Sequence, residues 1–129
     1  MQNNIKHFSD LDVWKHGHKL VLDVYKTTKS FPREEVFGLV SQMRRAASSV
    51  TANIAEGCGR YYYKEKIKFY QQARGSIMEL QNHLFLAADL VYINKDIFND
   101  TSEQSLVVLR EINALISSIR NKVSKVPNH

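Results

Sequence analysis

The sequence predicts an all-α protein, a left-handed antiparallel four-helix bundle with up-down-up-down topology. Three observations lead there. Apolar residues recur at alternating steps of three and four in four separate stretches, the period of a helix with one buried face. Only two prolines and five glycines interrupt 129 residues, which suits long helices. The intervals between stripes are short, so successive helices become antiparallel neighbours. A period near 3.5 coils such a bundle left-handed. No alternating strand pattern, internal repeat or low-complexity segment competes, and residues 1–129 suffice for one domain.

The first helix is expected over about 10–30. Asp10 is its N-cap, and Leu11, Trp14, Val21, Tyr25 and Thr28 are its stripe, with His18 filling the intervening turn. Pro32 restricts the residue before it and ends that helix. The second helix, 33–57, opens at Pro32 with Glu34 and Glu35 in its first turn. Its stripe is Val36, Val40, Met43, Ala47, Val50 and Ile54, and Gly57 or Gly59 ends it in the left-handed conformation. The third, 62–93, buries Tyr70, Ala73, Ile77, Leu80, Leu84, Ala87 and Val91. After a connection over 94–100, the fourth spans 101–125, started by a capping box at Asp100–Glu103 or Thr101–Gln104. It carries Leu109, Ile112, Ile116, Ile119, Val123 and Val126, and Pro127 stops it.

The net charge is +5 and the pI about 9.4, which permits polyanion binding. The excess is spread out: residues 1–31 carry +2 and the three following quarters +1 each, so no basic arm exists. No run of 18 apolar residues is present, and the first ten residues lack the apolar region of a secretory signal. One cysteine, Cys58, has no partner for a disulfide. A cytoplasmic protein without a membrane association is the expectation.

The chemistry-bearing residues cluster in two places. Ser49, Asn53, Glu56 and Arg60 form a polar line beside Val50 and Ile54, and the third helix offers Arg74, Ser76, Glu79 and His83. A serine, a glutamate and a histidine can make a nucleophile, a base and an orienting group. Nothing in the sequence resembles a nucleophile elbow, a phosphate loop or a paired metal motif, and mutual satisfaction between helices is the simpler account. Glu79 and His83 are spaced i, i+4, but no second carboxylate–histidine pair exists on another helix. His16 and His18 point to different sides, so no metal or other cofactor is expected.

The second cluster is RYYYKEKIKFY, residues 60–70. Arg60, Lys64, Lys66 and Lys68 alternate with Tyr61, Tyr62, Tyr63, Phe69 and Tyr70. Cations and exposed rings are what phosphate contact and base stacking need. Taken alone, the segment fits better a solvated lysine face over a core Tyr70. Gly75 in mid-helix costs about 1 kcal/mol relative to alanine, which suggests close backbone approach on a face shared with Gln72, Ser76, Glu79 and His83. Arg45 and Arg74 are candidate partners of Glu56 and Glu79, between helices or between subunits.

Together, FSDLDVWKHGHKLVLDVYKTTKSFPREE, GLVSQMRRAASSVTANIAEGCGR and ARGSIMEL closely resemble the four-helix-bundle family of proteins encoded in intervening sequences of bacterial large-subunit ribosomal RNA genes. The likeness runs from about Phe8 to Val91. It implies a bundle assembling as a ring, a homopentamer, with relation to accessory bundle proteins of diversity-generating retroelements that contact nucleic acid beside a reverse transcriptase. It implies no enzymatic activity. The family's signature positions fall on Gln42, Arg45, Ser49, Asn53, Glu56, Gly57, Arg60, Arg74, Gly75, Ser76 and Glu79. Family members commonly have proline where this chain has Thr51, so a straighter second helix is expected. A threonine still bends a helix mildly by bonding a carbonyl four residues back.

These strands combine into one expectation, a non-enzymatic oligomer that binds RNA or another nucleic acid. Five copies would carry about +25 and raise the field accordingly. The alternatives are an adaptor for a polypeptide such as a polymerase and, third, an enzyme using Glu56 or Glu79.

Overall fold

The computed structural model describes residues 7–124, and among them every regular element is helical. Four α-helices run over Asp12–Thr28 (α1), Leu39–Gly59 (α2), Tyr63–Asp89 (α3) and Lys95–Ser124 (α4). α1 and α3 each pack on both α2 and α4, and neither diagonal pair comes into close contact. The α2–α3 seam is the most extensive. Leu20, Met43, Ile54, Ile77, Leu84 and Ile112 are fully buried between the four, each side chain contributing about 1.5–3 kcal/mol of transfer free energy.

The start of α1 differs from the expectation. Asp10 closes a 3-10 turn over Phe8–Asp10, and Leu11, with extended backbone, precedes the helix. Of the expected stripe only Thr28 is buried, and the rest of the buried face is Val13, Gly17, Leu20 and Val24. The expected stripe followed the large rings, which instead flank the seam. Trp14 stacks on His18 with ring centroids 4.7 Å apart, and Tyr25 receives the Arg44 guanidinium on its face at 4.7 Å. Gly17 occupies the seam because α2 comes close there: a Cβ on it would stand 3.0 Å from Thr51 Cγ2.

α2 begins later than expected. Pro32 has extended ψ and opens a 3-10 turn, Arg33–Glu35, followed by a turn through Val36, Phe37 and Gly38. Glu35 Oε1 then accepts the Leu39 N–H at 3.2 Å, meeting one open donor of the first turn. Val36 is consequently half exposed, while Val40, Met43, Ala47, Val50 and Ile54 are buried. The helix runs unbroken to Gly59, and Thr51 Oγ1 bonds the carbonyl of Ser48, three residues back rather than four.

Neither Gly57 nor Gly59 adopts the left-handed conformation expected of it. Lys66 makes that unnecessary: its Nζ donates to the carbonyls of Gly57 at 3.2 Å and Cys58 at 2.9 Å. A lysine there also suits the negative end of the helix dipole.

α3 buries Tyr70, Ala73, Ile77, Leu80, Leu84 and Ala87 as expected but stops at Asp89. Val91 leaves it at φ 62°, exposed rather than core. The N–H of Tyr92 bonds the Ala87 carbonyl and that of Val91 the Ala88 carbonyl, closing the helix end. α4 starts at Lys95, six residues before the expected start at 101. Asn94 Oδ1 accepts the Ile97 N–H at 2.8 Å, so asparagine caps the helix. Asp100, Thr101, Glu103 and Gln104 lie inside it, and Gln104 instead ties Asp100 to Asp23 of α1. Ile112, Ile116 and Ile119 are buried, with Leu109 and Val123 partly so; Val126 and the stop at Pro127 lie outside the described residues.

Candidate nucleic-acid interface and the polar seam beside it

α2 and α3 align the polar line with its counterpart. Ser49 Oγ lies 2.9 Å from Ser76 Oγ, and Asn53 Nδ2 donates to the Ser49 carbonyl and hydroxyl at 2.9 and 3.1 Å. Ser76 also donates to the Gln72 carbonyl. Ser49 therefore shares its hydroxyl with Ser76 and Asn53, with neither Glu56 nor His83 among its hydrogen-bond partners. Neither Ser49 nor Ser76 bonds Glu56, Glu79 or His83, so the nucleophile, base and orienting group weighed from the sequence do not assemble as one set.

One turn on, Glu56 and Arg60 form an i, i+4 pair at 2.8 Å, and Glu65 stands 4.0 Å from the same guanidinium. That guanidinium also lies 4.7 Å over the Phe69 ring. Arg60 thus clasps the α2–α3 turn between two carboxylates and a ring. Gly57 admits the next element: a Cβ there would meet Tyr70 Cε1 at 2.5 Å, against a ring 3% exposed. Burial pushes the Tyr70 hydroxyl well above its ordinary range, with the nearby Cys58 adding to the rise.

The expected arginine pairs with Glu56 and Glu79 across the helices do not form within the chain. Arg74 donates to Asn113 of α4 at 3.0 Å. Arg45 and Gln42 stand exposed on α2. Glu79 lies 3.6 Å from His83 Nε2 on its own helix, and His83 is buried with both ring nitrogens lacking hydrogen-bond partners. Gly75 has nothing within 4 Å of an added Cβ, so no neighbouring backbone among the described residues accounts for it. Among the described residues no three histidines, cysteines or carboxylates are grouped to hold a metal ion.

The candidate nucleic-acid contacts of that segment, Arg60, Tyr61, Tyr62, Lys64, Lys66 and Lys68, divide by role. Arg60 and Lys66 are structural, one clasping the turn and one capping α2. Tyr61 and Tyr62 are 87% and 64% exposed, with rings edge-on at 5.1 Å. Lys64 and Lys68 are exposed on the first turns of α3. Two cations one turn apart beside two open rings can neutralise phosphates and stack bases.

Sequence reasoning passed over Phe37, which is 96% exposed in the turn before α2. It also passed over the bond from Tyr92 Oη to Glu35 Oε2 at 2.8 Å, which joins the two connections at that end. That bond is the main reason the Tyr92 hydroxyl titrates above its ordinary range. The only sequence signal for Phe37 is its place next to Gly38. No helix among the described residues is long and apolar enough to cross a membrane.

The family described as 23S rRNA-intervening sequence protein matches residues 9–114. Among solved structures, the chain is similar to a protein with unknown function from the S23 ribosomal protein family of Bacteroides thetaiotaomicron. The likeness has a TM-score of 0.73 at 19% identity and covers 81% of this chain and 97% of that one. At that identity it is a likeness of fold. No curated protein matches the chain.

Proposed function

From the premise that the chain belongs to the 23S rRNA-intervening sequence protein family, we propose a non-enzymatic, ring-forming cytoplasmic protein that binds structured RNA through the α2–α3 end. The observation that carries this reading is the juxtaposition of exposed Tyr61 and Tyr62 with Lys64 and Lys68. Arg60, Lys66 and Gly57 hold that end in place, so little ordering accompanies binding. Each lysine that neutralises a phosphate releases counterions, which makes affinity fall steeply with salt. The tyrosines supply sequence-tolerant stacking.

The bundle itself is read as antiparallel and left-handed. Contacts of rising residue number on one helix with falling number on the next support the first point. Gly17 meets Thr51 and Thr28 meets Arg44, Ser49 and Gly57 meet Ser76 and Tyr70, and Arg74 and Gln81 meet Asn113 and Ser105. His16 and Asp23 likewise meet Glu111 and Gln104. The alternating three- and four-residue steps support the second.

Titration of a labelled structured RNA at several salt concentrations tests the function. Binding at low salt that weakens in Lys64→Glu/Lys68→Glu is expected. Absence of binding to RNA or DNA at low salt would end the proposal. The runner-up, an adaptor for a polypeptide, draws support from the exposed Phe37. Recovery of a protein partner that survives nuclease treatment would favour it instead.

A further inference from the structure

The last turns of α1 separate two grooves of opposite charge. On one side, the groove between α1 and the start of α2 is lined by Lys29, Arg44 and Arg45 with no acidic residue on its wall. Its apolar surface includes Val36, 47% exposed, and Phe37, 96% exposed. Arg44 is fixed there by bonds to Thr28 Oγ1 at 2.9 Å and the Tyr25 carbonyl at 3.3 Å. On the other side, the groove between α1 and the start of α4 is lined by Asp23, Asp96 and Asp100 against Lys26, with Ile97 and Thr101 among its lining.

An aromatic ring left almost wholly in water beside three cations calls for an apolar, acidic cover. The chain carries such a surface itself. We infer that the basic groove of one copy docks on the acidic groove of the next. Phe37 and Val36 seat against the partner's Ile97, and Lys29 and Arg45 face the partner's Asp96 and Asp100. The contact joins two different patches, so it is heterologous and propagates from copy to copy until rotation closes it into a ring. Both grooves flank the same helix end, which leaves the Tyr61–Lys68 region of every copy clear of the contact. The inference rests on the proposed ring-forming reading and names the surfaces that would make the ring.

Charge exchange tests it, read by light scattering with helicity checked by circular dichroism. Lys29→Glu/Arg45→Glu gives a chain with two acidic grooves, and Asp96→Lys/Asp100→Lys gives one with two basic grooves. Each alone is expected to fall to the mass of a single chain. Combining all four substitutions in one chain exchanges the two charges and restores assembly. Phe37→Ser, with charges intact, raises the dissociation constant tenfold or more. If the wild type assembles and both charge-exchanged chains assemble equally well, the ring reading stands and this contact is wrong. Dissociation without rescue by the combination also overturns the contact. A wild type that stays a single chain at all concentrations overturns both readings.

Discussion

Where α2 passes into α3, the turn is held at three points. Lys66 closes the helix end, Arg60 clasps two carboxylates and a ring, and Tyr70 fills the space that Gly57 leaves. At the other end, around Phe31 and Tyr92, the two connections are joined by the Tyr92–Glu35 bond and a tilted ring contact at 5.2 Å. That end also keeps a β-branched residue in the left-handed region and exposes Phe37, Leu90 and Val91. The first end presents cations and rings on a rigid base, as a polyanion site requires. The second presents apolar surface on a strained base, as a contact between polypeptides requires. On the proposed reading, the same four helices separate two kinds of recognition along their length.

The contrast is sharpest at Gly57. Gly57→Ala forces a methyl into the buried Tyr70 ring, and overpacking of this kind costs about 1–3 kcal/mol. Denaturant unfolding should show the unfolding free energy falling by that amount, whereas Gly75→Ala, with open space around it, should raise stability. A cost at position 75 matching that at 57 would remove the distinction between the locked turn and the open seam.

A smaller effect of opposite sign is expected at the other end. Val91→Gly relieves a left-handed β-branched residue, for which the conformational penalty is about 1–2 kcal/mol, less glycine's extra unfolded-state entropy. A net gain of about 1 kcal/mol in thermal or denaturant unfolding is the expected result. Smaller again, Lys66→Met removes the side-chain cap of α2 and should cost about 0.5 kcal/mol, within the range for a cation at a helix C-terminus.

The least of these effects is read against pH. Burial alone would raise the Asp23 carboxyl, but hydrogen bonds from Lys19 and Gln104 and the charges of Lys19 and Lys26 outweigh it. Its titration thus lies below the ordinary carboxylate range. Its stabilising contribution is fully present above that range and is lost as pH falls through the depressed value. Asp23→Asn should flatten the loss of stability below about pH 4, and an unchanged acid limb would show that the α1–α4 network does not couple to folding.

The helices were legible because each stripe is long and periodic. The residues from Val40 to Ile54 and from Tyr70 to Ala87 mark buried faces that the structure keeps. α1 was misread because period alone does not distinguish Trp14 and Tyr25, which border the seam, from Val13, Gly17 and Leu20, which fill it. Ends were misread where a distant side chain replaced the local signal, as Lys66 does for glycine at the end of α2. The polar line was legible as a group but not as bonds, since partners such as Asn113 for Arg74 lie 39 positions away. Phe37 carries no periodic signal at all, because it sits in a turn.

The central claim is that nucleic-acid contact is localised to the α2–α3 end. Its most direct measurement is the salt dependence of RNA affinity in two variants of equal net charge. Lys64→Gln/Lys68→Gln removes two cations from that end, and Arg33→Gln/Lys95→Gln removes two from the other. The first should reduce the slope of log affinity against log salt by roughly 1.4–1.8 per engaged subunit, at about 0.7–0.9 per phosphate contact, and the second should leave it unchanged. Equal losses in the two variants would mean that net charge alone attracts the RNA, and the localised interface would be wrong.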